Sequence, residues 1–202
     1  MFEAANENIN IRPSRKKPIF HVGTKLRHYL KKYGRDVKLP ASYRDLLRFT
    51  YSIPLKDKNG NPTLWETVTY DMREWEYLRE SLVQMYAILK TEGDLSFTSH
   101  LDVARIDFCT FGNSQPFRIR IVNKFNDNHD HYYIKQADAS RIFGLELEDL
   151  LSPNRINFLV YKNTLIEEHI LGIPGDVFIQ KHLSNCSELE KAQISKEFVK
   201  FN

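Results

Sequence analysis

Phe117-Arg-Ile-Arg-Ile-Val-Asn-Lys-Phe125, followed by His131-Tyr-Tyr-Ile-Lys135, decides how this chain is read. Phe117, Ile119, Ile121 and Phe125 recur with a period of two, the pattern of a strand with one buried face. Asn126-Asp-Asn-His-Asp130 supplies turn residues, so the two segments read as a hairpin. Asp138 or Ser140 then offers an N-cap for a helix ending near Leu151, where Ser152-Pro153-Asn154 stops it. Ile156–Tyr161 and Thr164–Ile170 form a second hairpin around Lys162-Asn163, and Gly172-Ile-Pro-Gly175 closes the unit. One more strand is expected over Val103–Phe111, broken by Gly112-Asn-Ser-Gln-Pro116.

Outward from this unit the signals are helical. Gly23–Lys32 reads as a short basic helix ended by Gly34. Ser42 is placed to cap a second helix carrying Tyr43, Leu46 and Leu47. Lys56–Pro62 is a polar turn or loop. Glu74–Thr91 is the clearest helix, with Leu78, Leu82, Met85, Tyr86 and Leu89 on one stripe. Trp65 and Trp75 read as packing residues. The segment from Cys186 to Asn202 is an amphipathic helix candidate. The predicted fold is therefore α+β: a helical N-terminal region, then an antiparallel five-stranded sheet with one crossing helix. The expected divisions are a disordered tail over 1–20, a helical region over 21–95, the sheet unit over 96–183 and a C-terminal helix over 184–202.

At 202 residues the chain can bury a core without staples. Its two cysteines make no disulfide framework, so a reducing, cytoplasmic setting is expected. There is no apolar run of membrane-spanning length and no signal-peptide pattern, so no membrane partner is expected. The net charge is only +3, but it is uneven. Arg12, Arg15, Lys16, Lys17, Lys25, Arg27, Lys31, Lys32 and Arg35 crowd the first part, where they form either a solvated face or a patch for a partner or phosphate. His129 and His131 bracket a turn without further convergent ligands, so no metal is expected. Cys109 lies in an apolar strand and reads as an inert core thiol.

The order strand, glycine-containing loop, strand, strand ending in lysine, helix, two strands resembles the small lobe of protein-kinase-like enzymes. Tyr132-Tyr-Ile-Lys135 is similar to the strand whose lysine holds the nucleotide phosphates. Tyr133 is similar to the tyrosine that stacks on adenine in aminoglycoside phosphotransferases, and strand alternation puts it on the face of Lys135. Leu165–Gly175 resembles the hinge of those enzymes, whose backbone near Glu168, His169 and Ile170 would meet adenine. Gly112, Asn113 and Ser114 stand where the phosphate-covering loop would be. The resemblance implies a carboxylate partner for Lys135 from the helix, Glu146 first and Glu148 second. It implies ATP with magnesium only in a complete two-lobe protein. The large-lobe motifs are missing: there is no His-Gly-Asp or His-Arg-Asp loop and no magnesium-holding aspartate after the hinge. The enzyme expectation is thus a nucleotide-binding half of a phosphotransferase, inactive alone, with a missing large lobe as partner. The alternatives are a non-enzymatic α+β binding module that docks on a protein or nucleic acid, and a pseudokinase-like scaffold.

Overall fold

The alternation in Phe117–Asn123 is realised as a strand, β4. Phe117, Ile119 and Ile121 are buried, while Arg118 and Arg120 are half-buried on the opposite face. The computed structural model describes residues 17–91, 93–96, 98–111, 113–126, 128–153, 155–173 and 175–201. β4 is the central strand of an antiparallel sheet with β1 (Tyr51–Lys56), β2 (Pro62–Thr69), β3 (Leu101–Cys109), β5 (His129–Gln136), β6 (Phe158–Tyr161) and β7 (Thr164–Glu168). The strand order is β1-β2-β3-β4-β5-β7-β6.

The fold is α+β, as the sequence predicts, but the sheet has seven strands rather than five. The two additional strands come from the segment expected to be helical. Asp57 builds the turn between them: its carboxylate accepts the backbone N–H groups of Asn59 and Asn61 at 2.8 and 2.9 Å. Gly60 supplies φ +83° at the same turn. β2 pairs with β3, so one sheet crosses the boundary expected near residue 95. Phe125 also departs from expectation. The strand ends at Asn123, whose side chain accepts the Phe125 N–H, and Phe125 is left 77% exposed in the turn.

Two layers cover the sheet unequally. Helix α3 (Met72–Thr91) lays Leu78, Leu82, Met85 and Leu89 on one face, against Ile106, Phe117, Ile119, Ile121, Tyr132, Ile134 and Ile166. Each of these leucines contributes roughly 1.5–3 kcal/mol by leaving water. The short helix α2 (Tyr43–Leu46) joins the same core, its entry fixed by the Ser42 N–H donating to Asp45 at 2.7 Å. On the other face, α1 (Thr24–Lys32) and α4 (Ala139–Leu151) cover Phe158, Val160 and Leu165, at the β7–β6 end. Asp138 caps α4, accepting from the Ser140 N–H at 3.0 Å. The remaining helices, α5 (Gly175–Lys181) and α6 (Glu188–Phe201), follow the sheet.

Both sheet edges are managed. The chain after α1 closes the β6 edge, with Val160 N–H donating to Arg35 O at 2.8 Å and Val37 N–H to Val160 O at 3.1 Å. The β1 edge carries Pro54 and an irregularity between Pro54 and Lys56, features that discourage further strand pairing. Of the tail expected over 1–20, residues 1–16 lie outside the described residues. Phe20 is anchored, its N–H donating to Asp138 at 3.1 Å and its carbonyl accepting the Ala139 N–H at 2.8 Å. No described helix is long and apolar enough to cross a membrane.

Candidate functional site

The half of the sheet that α1 and α4 leave uncovered carries the polar side chains of β2–β5. Register fixes which of them stand side by side. Ile53, Thr67, Asp107, Arg118, Tyr133 and Glu167 face one another in turn across six strands. One step along the strands, Arg105 stands opposite Arg120, and Arg120 opposite His131. On the other side of the first row, Trp65 stands opposite Cys109.

Two buried carboxylates hold this face in shape. Asp107 has no exposure and accepts from Thr67 Oγ1 at 2.9 Å and from Arg118 Nη2 at 2.8 Å; Arg105 Nε lies 2.8 Å away. Arg118, so held, lies over the Trp65 ring at 4.6 Å from its centroid. Glu167, buried as well, takes two bonds from Arg141 of α4 at 3.0 and 2.9 Å and one from Lys135 at 2.8 Å. Burial pushes the Glu167 carboxyl up, but the Arg141 and Lys135 bonds outweigh it and leave the group below the usual carboxylate range. Tyr133 Oη is 3.0 Å from His169 Nδ1, and the His169 ring packs 5.5 Å from that of His131.

The row Arg105, Arg120, His131 has less compensation. Arg120 makes no ion pair among the described residues, and its Nε is buried without a hydrogen-bond partner. Burial, and then Arg118, His169, His129 and Arg120, push the His131 imidazole down to about 4, so it is neutral near pH 7. Cys109 offers no nucleophile: burial pushes its thiol up. Among the described residues no group of three potential ligands converges for a metal ion.

The residues singled out for a nucleotide are only partly brought together. Tyr133 and Lys135 share a face, with Lys135 Nζ 5.4 Å from the Tyr133 centroid. Asn113, Ser114, Lys135, Asp138 and Arg141 line a cleft of about 170 Å³. Gly112 lies outside the described residues. The expected partners of Lys135 are elsewhere. Glu146 is engaged by Arg35 at 2.8 Å and by the Tyr29 hydroxyl at 3.2 Å, because α1 packs between that side of α4 and solvent. Glu148 makes no ion pair with Lys135, whose partner is Glu167 on the neighbouring strand. At the expected hinge, the Glu168 N–H donates to Asn157 O at 3.0 Å, the Glu168 carboxylate pairs with Lys90 at 2.9 Å, His169 is bonded to Tyr133, and Ile170 is exposed. The cleft that Lys135 lines is smaller than the ~300–1,000 Å³ usual for ligand sites. Its two cations, Lys135 and Arg141, are both paired with Glu167, and the hinge donor at Glu168 is already taken.

The chain matches no protein-family model, no curated protein and no solved structure. The site therefore stands on its own chemistry. The residues that compose it, Trp65, Arg105, Asp107, Arg118, Arg120 and Glu167, escape a reading centred on apolar periodicity. Their signal is present in the complementary positions. Arg118 and Arg120 alternate with Ile119 and Ile121, and Arg105 and Asp107 with Ile106 and Phe108. Charges at alternate positions of two neighbouring strands put a charged surface on one sheet face. The basic N-terminal stretch, by contrast, is partly spent within the fold: Arg27 of α1 pairs with Asp36, and Arg35 after it with Glu146 and Asp149.

Proposed function

We propose that this chain is a non-enzymatic binding module whose uncovered sheet face engages an acidic partner protein. The single observation that carries this reading is the content of that face. Its half-exposed side chains include Trp65, Tyr133, His131, Arg105, Arg118 and Arg120, with Thr67 and Lys135 beside them, on strands whose opposite face is the core. Trp, Tyr and Arg are the residues that dominate binding energy at protein interfaces. Here Trp65, Tyr133, Arg118 and Arg120 occupy adjacent strands, with exposed Ile53 and Tyr51 continuing the face to the β1 edge. The charge of the face is cationic: Arg105, Arg118, Arg120 and Lys135 outnumber Asp107 and Glu167.

Two features favour protein over nucleic acid. The aromatic faces are not free platforms for bases, since Arg118 lies on Trp65 and the Tyr133 hydroxyl is tied to His169. The cations are mainly arginines held by buried carboxylates, and the one lysine is paired with Glu167. Mobile lysines that track a phosphate backbone are not what this face presents. The nucleotide-binding reading keeps the shared face of Tyr133 and Lys135 in its support, but loses the helix glutamate and the hinge donor.

Trp65 provides the assay, because Trp75 packs against the core. An Asp/Glu-rich peptide, a Lys-rich peptide and a single-stranded oligonucleotide are titrated separately while tryptophan emission and peptide anisotropy are followed. The acidic peptide is expected to bind, with an affinity that falls as salt rises and with loss on Trp65→Ala. Tighter binding of the oligonucleotide, or acidic-peptide binding untouched by Trp65→Ala, overturns the reading.

A further inference from the structure

The Arg105–Arg120 opposition asks for an anion. Like charges directly opposite on an antiparallel pair are unfavourable. Here the opposition sits at the centre of the sheet, on β3 and β4, and not at an edge where the side chains could splay into water. Asp107, the nearest carboxylate, is already shared by Thr67, Arg118 and Arg105. Arg120 is left with a buried Nε and no partner among the described residues. A buried polar group without a partner is rare enough in native proteins to need an explanation. His131 stands opposite Arg120 on the far side, and its ring adjoins those of His129 and His169.

We infer that Arg105, Arg120 and His131 form the seat for one carboxylate of the partner, the contact on which recognition at this face turns. The inference rests on the acidic-partner reading and names its anchor. A carboxylate is planar, accepts at two oxygens, and matches the fork geometry of guanidinium donors. Opposed residues on paired strands have Cβ atoms about 4.5–5.5 Å apart, so one small oxyanion can meet both side chains. His131 supplies a third donor once protonated. The groups that face the His131 ring are Arg118 and Arg120 from β4, His129 from β5 and His169 beyond β7; the carboxylate of Asp130 accepts the His131 backbone N–H at 2.7 Å but is engaged by Tyr86 and Lys90. A seated anion adds the missing negative charge. It therefore favours the imidazolium, and binding tightens as pH falls from neutral.

The test uses sodium acetate and, separately, inorganic phosphate, with the folded protein observed by nuclear magnetic resonance at the arginine Nε–Hε groups and the His131 ring. Acetate is expected to shift Arg120 Nε–Hε and to raise the His131 titration midpoint. In Arg105→Gln both responses vanish, and in Arg120→Gln the rise of the His131 midpoint vanishes. The acidic peptide binds these variants about tenfold more weakly, the loss expected for one charge-assisted hydrogen bond. Amide spectra that keep the wild-type dispersion show that the variants are folded. No acetate response at Arg120 in the wild-type protein overturns the seat, as does an equal shift of the His131 midpoint in Arg120→Gln. Phosphate that shifts Arg120 at lower concentration than acetate overturns the choice of a carboxylate. Peptide binding retained by Arg120→Gln but lost in Trp65→Ala ends the seat and leaves the acidic-partner reading standing. Failure of the peptide to bind at all ends both.

Discussion

Replacing Asp107 with asparagine removes one charge from the most buried point of the polar face and keeps the side chain's shape. The carboxylate is wholly buried, bonded to Thr67 and Arg118, and 2.8 Å from Arg105. Breaking a buried ion pair by removing one partner costs about 3–5 kcal/mol, because the other charge is left uncompensated. The arginine side chains are 30% and 21% exposed, so water recovers part of that loss. The net destabilisation expected for Asp107→Asn is therefore about 2–4 kcal/mol. For a chain of this length that lowers Tm by roughly 4–16 °C. Urea and thermal unfolding followed by circular dichroism measure it. The origin of the loss is checked with Arg118→Gln. If Asp107 acts through its arginines, the double variant is destabilised by less than the sum of the singles, with a coupling of more than about 0.5 kcal/mol. A loss below about 1 kcal/mol, or simple additivity, refutes the reasoning that this carboxylate holds the face together.

Four other outcomes follow from the same contacts. The Glu167 carboxyl is depressed in the folded protein from an unfolded value near 4.5, so its stabilisation is present above that pH and is lost as pH falls through the lower folded value; Glu167→Gln flattens the acid limb of stability against pH, and an unchanged limb contradicts the assignment. His131 is depressed from 6.5 to about 4, so unfolding takes up a proton between those values and stability falls as pH drops from 6.5 toward 4; His131→Gln removes that slope, read from urea midpoints across the window. Cys109 is buried and Cys186 partly exposed, so a thiol reagent labels Cys186 in the native protein and Cys109 only on unfolding, which mass spectrometry of the labelled peptides resolves. Tyr132→Phe loses the buried bond from its hydroxyl to Leu82 O at 2.8 Å and costs about 0.5–1.5 kcal/mol in urea unfolding.

The fold was legible where one residue pattern met one environment. β4, β5, α4 and the β6–β7 hairpin follow from alternation, from the Asp138 cap and from the Lys162-Asn163 turn, where Lys162 takes φ +51°. β1 was hidden because Tyr51–Lys56 contains Pro54 and exposes most of its side chains, and β2 because Val68 is the one buried side chain in its eight residues, so neither shows a sustained apolar period. The partner of Lys135 was hidden for another reason. A helix carboxylate at the right spacing is a local argument, whereas the Lys135–Glu167 pair depends on β7 lying beside β5, a contact of residues 32 apart in the chain. Glu167 and Glu168 are neighbours in sequence, yet alternation sends them to opposite faces, one to Arg141 and Lys135, the other to Lys90.

Stability and the proposed recognition make opposite demands on Arg120. If only folding mattered, an apolar residue there would serve better, since it would end the Arg105–Arg120 opposition and the unpartnered Nε. Arg118 differs, because Asp107 and the Trp65 ring hold it from two sides. A stable protein can therefore keep Arg118 for its structure, but Arg120 has no structural reason that the contacts supply. Residues that strain the fold without compensation cluster at functional sites. Arg120→Met separates the two demands. It is expected to leave stability unchanged or slightly higher while the acidic peptide loses affinity. A variant that unfolds more readily and binds as before would make Arg120 a structural residue after all.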